Sequence, residues 1–279
     1  MKQKALRLLF CVACFSFSYF LASLTGLELV QNAILLAFLI HWLLFIPAYL
    51  LKTEKFFDLS GSFTYVSIVS YVLFFNNNSE NIIGNLILAS FIIIWAVRLG
   101  SFLFFRIKKA GEDKRFRELK ISFTRFFLVW NISAMWVSFC SMCAITAISS
   151  GSGVQLNPLF YIGAVTFLVG FILEIVADHQ KTAFRKDPKN KDKFINTGLW
   201  ARSQHPNYVG EITLWAGIAL ISYSSLEGWE YVSLISPIFT YWLLVFVSGI
   251  PQLEESGEKK WGHLKAYQDY TKNTPKLIF

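Results

Sequence analysis

Gly198-Leu199-Trp200-Ala201-Arg202-Ser203-Gln204-His205-Pro206-Asn207-Tyr208-Val209-Gly210-Glu211 reads as a basic, polar loop that runs through His-Pro into a helix. That helix continues as Ile212-Thr213-Leu214-Trp215-Ala216-Gly217-Ile218-Ala219-Leu220. Proline suits the first turn of a helix, where its missing N–H would have no partner. Asn207, Tyr208 and Glu211 therefore fall at the mouth of a membrane helix, with Asn207 and Glu211 one turn apart on one face. A carboxylate where lipid begins is costly unless it faces protein or ligand. This mouth marks a site, or the edge of one.

Composition supports the membrane reading. Of 279 residues, 54% are apolar, 17% aromatic and only 16% charged, against roughly 25% charged in soluble domains. Apolar runs of roughly 17–25 residues mark membrane helices. Eight are found, at about 5–25, 30–51, 59–75, 82–105, 123–149, 157–178, 208–225 and 231–250. The third is the shortest, diluted by Gly61 and several Ser and Thr, and the count falls to seven if it is re-entrant. The expected fold is an all-α integral membrane bundle forming one polytopic domain, 1–279.

The 26 Lys and Arg residues test that count. In the eight-span arrangement all but Arg98 fall on one side: Lys2, Lys4 and Arg7, then Lys52 and Lys55, then the runs 106–125 and 181–202, then the tail from Lys259 to Lys276. The opposite loops carry only Glu28, Glu80, Glu227 and Glu230. The positive-inside rule then expects both termini in the cytoplasm. The net charge of +8 is accounted for by topology and anionic headgroups, so no nucleic-acid partner is needed. A phosphate-bearing ligand on the basic face is the alternative. The apolar stretch after Lys4 runs too long for an ordinary signal peptide and reads as a retained first helix. The hydrophilic stretches 106–122, 179–207 and 251–279 are each too short for a core of their own. Asn77-Asn78-Ser79 matches a glycosylation acceptor, meaningful only in a eukaryotic secretory compartment.

Cys11-x-x-Cys14 and Cys140-x-x-Cys143 have metal-ligand spacing. Both pairs lie inside apolar helices without His or carboxylate neighbours, so they read as packing and no metal is expected. Arg98, the one basic residue within a span, either snorkels to the headgroups or faces inward to pair with a carboxylate or phosphate. Glu174 and Asp178 stand one helical turn apart, with Lys181 and Arg185 following on much the same face. This is either a self-paired helix end or a polar stripe in which carboxylates hold ribose hydroxyls or an amide and bases hold phosphates. His205 is a general base by type, or a capping or phosphate-contacting group. His41 and His179 read as packing or interfacial residues. The tail from Gly249 to Pro275 reads as an amphipathic helix beneath the bundle, either a surface anchor or a lid. No G-x-G-x-x-G, P-loop, H-E-x-x-H or G-x-S-x-G is present, so any nucleotide would be held by helix ends and loops.

Three motifs carry a family resemblance: Trp-x-x-Arg-Leu-Gly at 95–100, Gly-Leu-Trp-x-x-Ser-x-His-Pro-Asn-Tyr-x-Gly-Glu at 198–211, and Gly-Ile-Pro-x-Leu-Glu-Glu at 249–255. With them the chain resembles the membrane steroid 5-alpha-reductase superfamily, most closely its bacterial-type branch. The likeness covers a core at 92–279 with its tail at 251–279, while the helices of 1–91 are variable. Isoprenylcysteine carboxyl methyltransferases and related lipid methyltransferases share the His-Pro-x-Tyr and Glu-Glu elements.

The resemblance implies NADPH in a cavity open to the cytoplasm. Asp178, Arg185, Asn207 and Glu211 fall on cofactor-contacting positions, and Glu174 replaces an Asn there. Arg98, Arg202, His205, Tyr208, Glu254 and Tyr267 complete the expected cofactor set. The reaction it implies also needs an acid at the substrate carbonyl, supplied in the steroid enzymes by a Tyr paired with a Glu. Trp95 stands at the Tyr position, and Trp cannot deliver a proton as a phenol does. Glu54 and Asp58 are candidates for the Glu, and Tyr208 is a further catalytic candidate. The expectation is an NADPH-dependent reductase of a conjugated C=C bond in a lipophilic substrate, in a bacterial inner membrane or the endoplasmic reticulum. The alternatives are an S-adenosylmethionine-dependent methyltransferase and a non-enzymatic lipid-binding protein.

Overall fold

The computed structural model describes residues 2–76 and 80–277, so the Asn77–Ser79 acceptor lies outside the described residues. Among these residues the regular structure is entirely helical. The long helices are α1 (Lys2–Leu24), α2 (Glu28–Leu50), α3 (Phe57–Phe75), α4 (Ile82–Ala110), α5 (Phe123–Ser149), α6 (Pro158–Lys186) and α7 (Pro206–Tyr223). They are followed by α8 (Ile235–Trp242), a π-turn at Leu243–Val247, α9 (Ile250–Trp261) and α10 (Lys265–Asn273). Among the described residues, seven segments are long and apolar enough to cross a membrane: α1 to α6, and the stretch Gly228–Trp261 that contains α8 and α9.

The marginal segment differs from the one expected. α3 is a full helix of 19 residues. The hydroxyls of Ser60, Thr64 and Ser67 donate to carbonyls one turn back, at 2.7, 2.8 and 2.8 Å. Such back-bonding satisfies a hydroxyl inside an apolar segment, so the Ser/Thr content that weakened the hydropathy does not weaken the helix. Instead α7 falls outside the seven, because its first turns carry Asn207, Tyr208, Gly210 and Glu211.

The chain divides into two compact units. The first comprises residues 1–160 and 221–236. α5 is its axis: every residue from Val137 to Ser149 is buried, and α1, α2 and α3 pack around it. An aromatic cluster of Phe45, Phe57, Phe116, Phe126 and Trp130 fills the end near the α4–α5 loop. Cys11, Cys14, Cys140 and Cys143 are buried, and none is in a disulfide among the described residues.

The second unit comprises residues 161–220 and 237–279. α6 and α7 form an antiparallel hairpin with backbone against backbone. A Cβ added to Gly170 would meet Leu214 N at 2.4 Å, and one on Gly217 would meet Phe167 N at 2.5 Å. Gly163 and Gly170 on α6, and Gly210 and Gly217 on α7, each stand seven apart. In lipid, where hydrophobic burial gives no drive between helices, small residues allow this close van der Waals approach.

Candidate functional site

The hairpin register positions the polar mouth. Glu174 packs its backbone directly against Gly210, whose added Cβ would lie 2.6 Å from Glu174 N. One further turn along each antiparallel helix sets Asp178 level with Pro206 and Asn207. Glu174, Asp178 and Glu211 are all buried, as are Ser203 and His205. The two one-turn pairs read from the sequence, Glu174/Asp178 and Asn207/Glu211, are thereby brought to one place. Lys181 and Arg185 continue α6 outward; Lys181 is half-buried and Arg185 exposed, as is Arg202.

The loop before α7 is held from both sides. Trp200 is buried and donates its indole N–H to Ala177 O at 3.1 Å, while Lys181 Nζ lies 4.3 Å from its ring centroid. Gly198 has φ +62°, and Gln180 fills the space a side chain there would need. Gln180 Oε1 accepts from Leu199 N at 2.9 Å. From the other side comes the C-terminal strap. Gln204 N donates to Pro275 O at 2.9 Å, His205 N to Lys276 O at 3.1 Å, and Ser203 Oγ to Lys276 O at 3.1 Å. Gln204 Nε2 donates to Thr271 O and Thr274 O, and Tyr270 OH to Trp200 O at 2.7 Å. Lys276 is in turn paired with Glu254 at 2.7 Å. Tyr267 packs on Phe194 and Trp261 beneath this strap. Burial, then the carboxylates of Glu258 and Glu254, raise its phenol above the ordinary range.

His205 is the most unusual group at the mouth. Its carbonyl accepts from Tyr208 N at 3.0 Å, which makes it the residue that starts α7, and its ring stacks on Tyr208 with centroids 5.6 Å apart. Both ring nitrogens are enclosed and have no hydrogen-bond partner among the described residues, as is true of Asn207 Oδ1. Burial, reinforced by Lys181 and Lys276, pushes the imidazole down to about 4. At neutral pH the ring is therefore uncharged, offering one donor and one acceptor. Buried polar atoms normally find partners, and a neutral donor–acceptor pair beside three carboxylates fits hydroxyls or an amide of a ligand.

The remaining candidates belong to the first unit. Glu54 is buried, paired with Lys120 at 2.6 Å and accepting from Asp113 N at 3.0 Å, an arrangement that anchors the α4–α5 loop. Asp58 Oδ2 is enclosed without a hydrogen-bond partner among the described residues. Arg98 lies 5.3 Å from the Phe102 ring, which Arg106 also approaches at 5.9 Å. Trp95 is buried and meets the Tyr65 ring edge-on at 5.1 Å. No sequence motif marks Tyr65. It lies in the variable helices, seven residues after Asp58, and only the α3–α4 packing brings it to Trp95. Packing within this unit also joins His41 Nε2 to Ser133 Oγ at 3.1 Å and Trp42 Nε1 to Asn131 Oδ1 at 3.0 Å, two polar pairs absent from any motif.

Residues 42–274 match the family described as "Protein of unknown function (DUF1295)". The chain belongs to this family. Among curated relatives, it is similar to "Probable O-methyltransferase ustE" of Ustilaginoidea virens, 35% identical over 31% of this chain and 32% of that one. It is also similar to "3-oxo-5-alpha-steroid 4-dehydrogenase 1" of Bos taurus, 30% identical over 42% of this chain and 40% of that one. The human protein of that name is 31% identical over 42% of this chain and 39% of its own length. The chain thus spans no more than about two fifths of the length of these relatives. No solved structure matches it significantly.

Proposed function

We propose that this family member is a membrane enzyme that holds NADPH at the mouth of the α6–α7 hairpin. In this reading it reduces a C=C bond conjugated to a carbonyl in a lipophilic substrate, such as a steroid-like or isoprenoid enone. The observation that carries the reading is the enclosed set of His205 and Asn207, unsatisfied among the described residues, flanked by the buried carboxylates Glu174, Asp178 and Glu211. Asn207, Asp178 and Glu211 take hydroxyl and amide hydrogens, and Arg185 and Arg202 take phosphates. The strap from Thr271 to Lys276 excludes water from the His205 side. NADPH bound there supplies a hydride. Similarity to proteins named for a 3-oxo-steroid dehydrogenase activity supports that chemistry.

Enone reduction also places negative charge on the substrate oxygen, which needs an acid. Trp95 offers an N–H but no transferable proton. With α7 crossing as an eighth span, the one-sided distribution of Lys and Arg supports a cytoplasmic basic face and cytoplasmic termini.

The similarity to a protein named as an O-methyltransferase favours a second reading, with S-adenosylmethionine as the cofactor. Thermal unfolding of the detergent-purified protein with NADPH, NADH or S-adenosylmethionine separates them. A ligand at 100 times its Kd stabilises the fold by roughly 2.7 kcal/mol. Protection by NADPH is expected. Protection by S-adenosylmethionine alone overturns the reductase in favour of the methyltransferase, and protection by none leaves a lipid-binding protein.

A further inference from the structure

A cavity lies far from these motifs in sequence, within the first unit. It has a volume of about 540 Å³ and is lined by Lys2, Gln3, Lys4 and Arg7 of α1 and by Ser122 and Arg125 at the start of α5. Four of these six residues are cations and none is an acid. Six cations elsewhere in the described residues have carboxylate partners. In the α4–α5 loop, Arg115 pairs with Asp113, Arg117 with Glu112 and Lys120 with Glu54. In the second unit, Lys259, Lys260 and Lys276 pair with Glu255, Asp192 and Glu254. Among the described residues Lys2, Lys4, Arg7 and Arg125 form no ion pair.

Arg7 is oriented rather than neutralised. Its Nη1 donates to Thr124 Oγ1 at 3.4 Å and its Nη2 to Gln3 Oε1 at 3.5 Å, both neutral acceptors, with other N–H groups of its guanidinium left over. The α5 start adds to the positive potential. Ser122 caps it without a side-chain hydrogen bond and no acid stands in its first turn, so the first N–H groups of the helix have no intrahelical partner. A cleft lined by one sign of charge concentrates counter-ions, and two guanidiniums with two ammoniums match an oxyanion bearing several acceptor oxygens.

We infer that this cleft is a binding site for a phosphate group, distinct from the α6–α7 mouth and independent of the reaction proposed for it. At the end of two membrane helices, the source that fits is the headgroup of an anionic phospholipid, which would clip α1 to α5. Free inorganic phosphate carries the same chemistry.

The test uses the full chain in detergent, with thermal midpoints read against short-chain phosphatidylglycerol, short-chain phosphatidylcholine and inorganic phosphate. Phosphatidylglycerol should raise the midpoint and phosphatidylcholine should not. The pair Arg7→Gln/Arg125→Gln should weaken the apparent affinity at least about tenfold, whereas Lys108→Gln/Lys109→Gln, in the basic last turn of α4, should leave it unchanged. If the first pair does not fold, Lys2→Gln/Lys4→Gln at exposed positions should give a smaller loss in the same direction. A shift with inorganic phosphate alone would assign the site to the free ion. No response to either phosphate probe, or equal loss in the pocket and control variants, would overturn the site.

Discussion

Gly210 on α7 lies directly against Glu174 on α6: a Cβ there would sit 2.6 Å from Glu174 N and 2.9 Å from Glu174 Cβ. The contact links fold to site, because the same glycine that lets the helices touch sets a buried carboxylate opposite Glu211. Gly210→Ala cannot be absorbed by a flexible side chain, since the atoms it meets belong to backbone and Cβ. Overpacking of this kind costs about 1–3 kcal/mol. The expected result is a lower thermal midpoint together with weaker NADPH binding. Gly151→Ala, with open space around its Cβ, serves as the control. An unchanged midpoint in Gly210→Ala would show that the helices separate without loss.

His205 makes stability depend on pH. Its folded value near 4 lies below its ordinary 6.5, so the unfolded chain takes up a proton first as pH falls. The contribution of the neutral ring is complete above about pH 6.5 and is lost as pH falls towards 4. At about 1.4 kcal/mol for each pH unit between the two values, the full effect is on the order of 3 kcal/mol. His205→Asn should flatten the slope of stability between pH 6.5 and 4, measured by thermal unfolding at each pH. A slope unchanged by the substitution would place the titration elsewhere.

Much of this was legible in the chain because its carriers are local. The Pro206 helix start, the buried Glu174/Asp178 pair and the membrane helices follow from short spacings and apolar length. The strap was not legible. The Gln204 and His205 amides bond to carbonyls of Pro275 and Lys276 about 70 positions away, through backbone atoms that any residue supplies. Hydropathy misjudged which span is marginal, because it counts Ser60, Thr64 and Ser67 as polar when their hydroxyls are satisfied within the helix. The contact of Tyr65 with Trp95 was hidden for a third reason: the two residues lie on different helices and no motif joins them.

Arg185 bears on cofactor choice. It is exposed at the last turn of α6, one face with Lys181 and Asp178, where a guanidinium reaches a phosphate without disturbing the hairpin. NADPH differs from NADH by one phosphate, so an Arg that touches it contributes to one cofactor and not the other. Arg185→Ala should weaken NADPH about tenfold or more, equivalent to roughly 1.4 kcal/mol, and leave NADH within about twofold, as read by fluorescence titration. Its exposure argues against any accompanying loss of fold, so thermal midpoints without ligand should match the parent. Equal weakening of both cofactors would assign Arg185 to the phosphates they share and leave the distinguishing contact to Arg202.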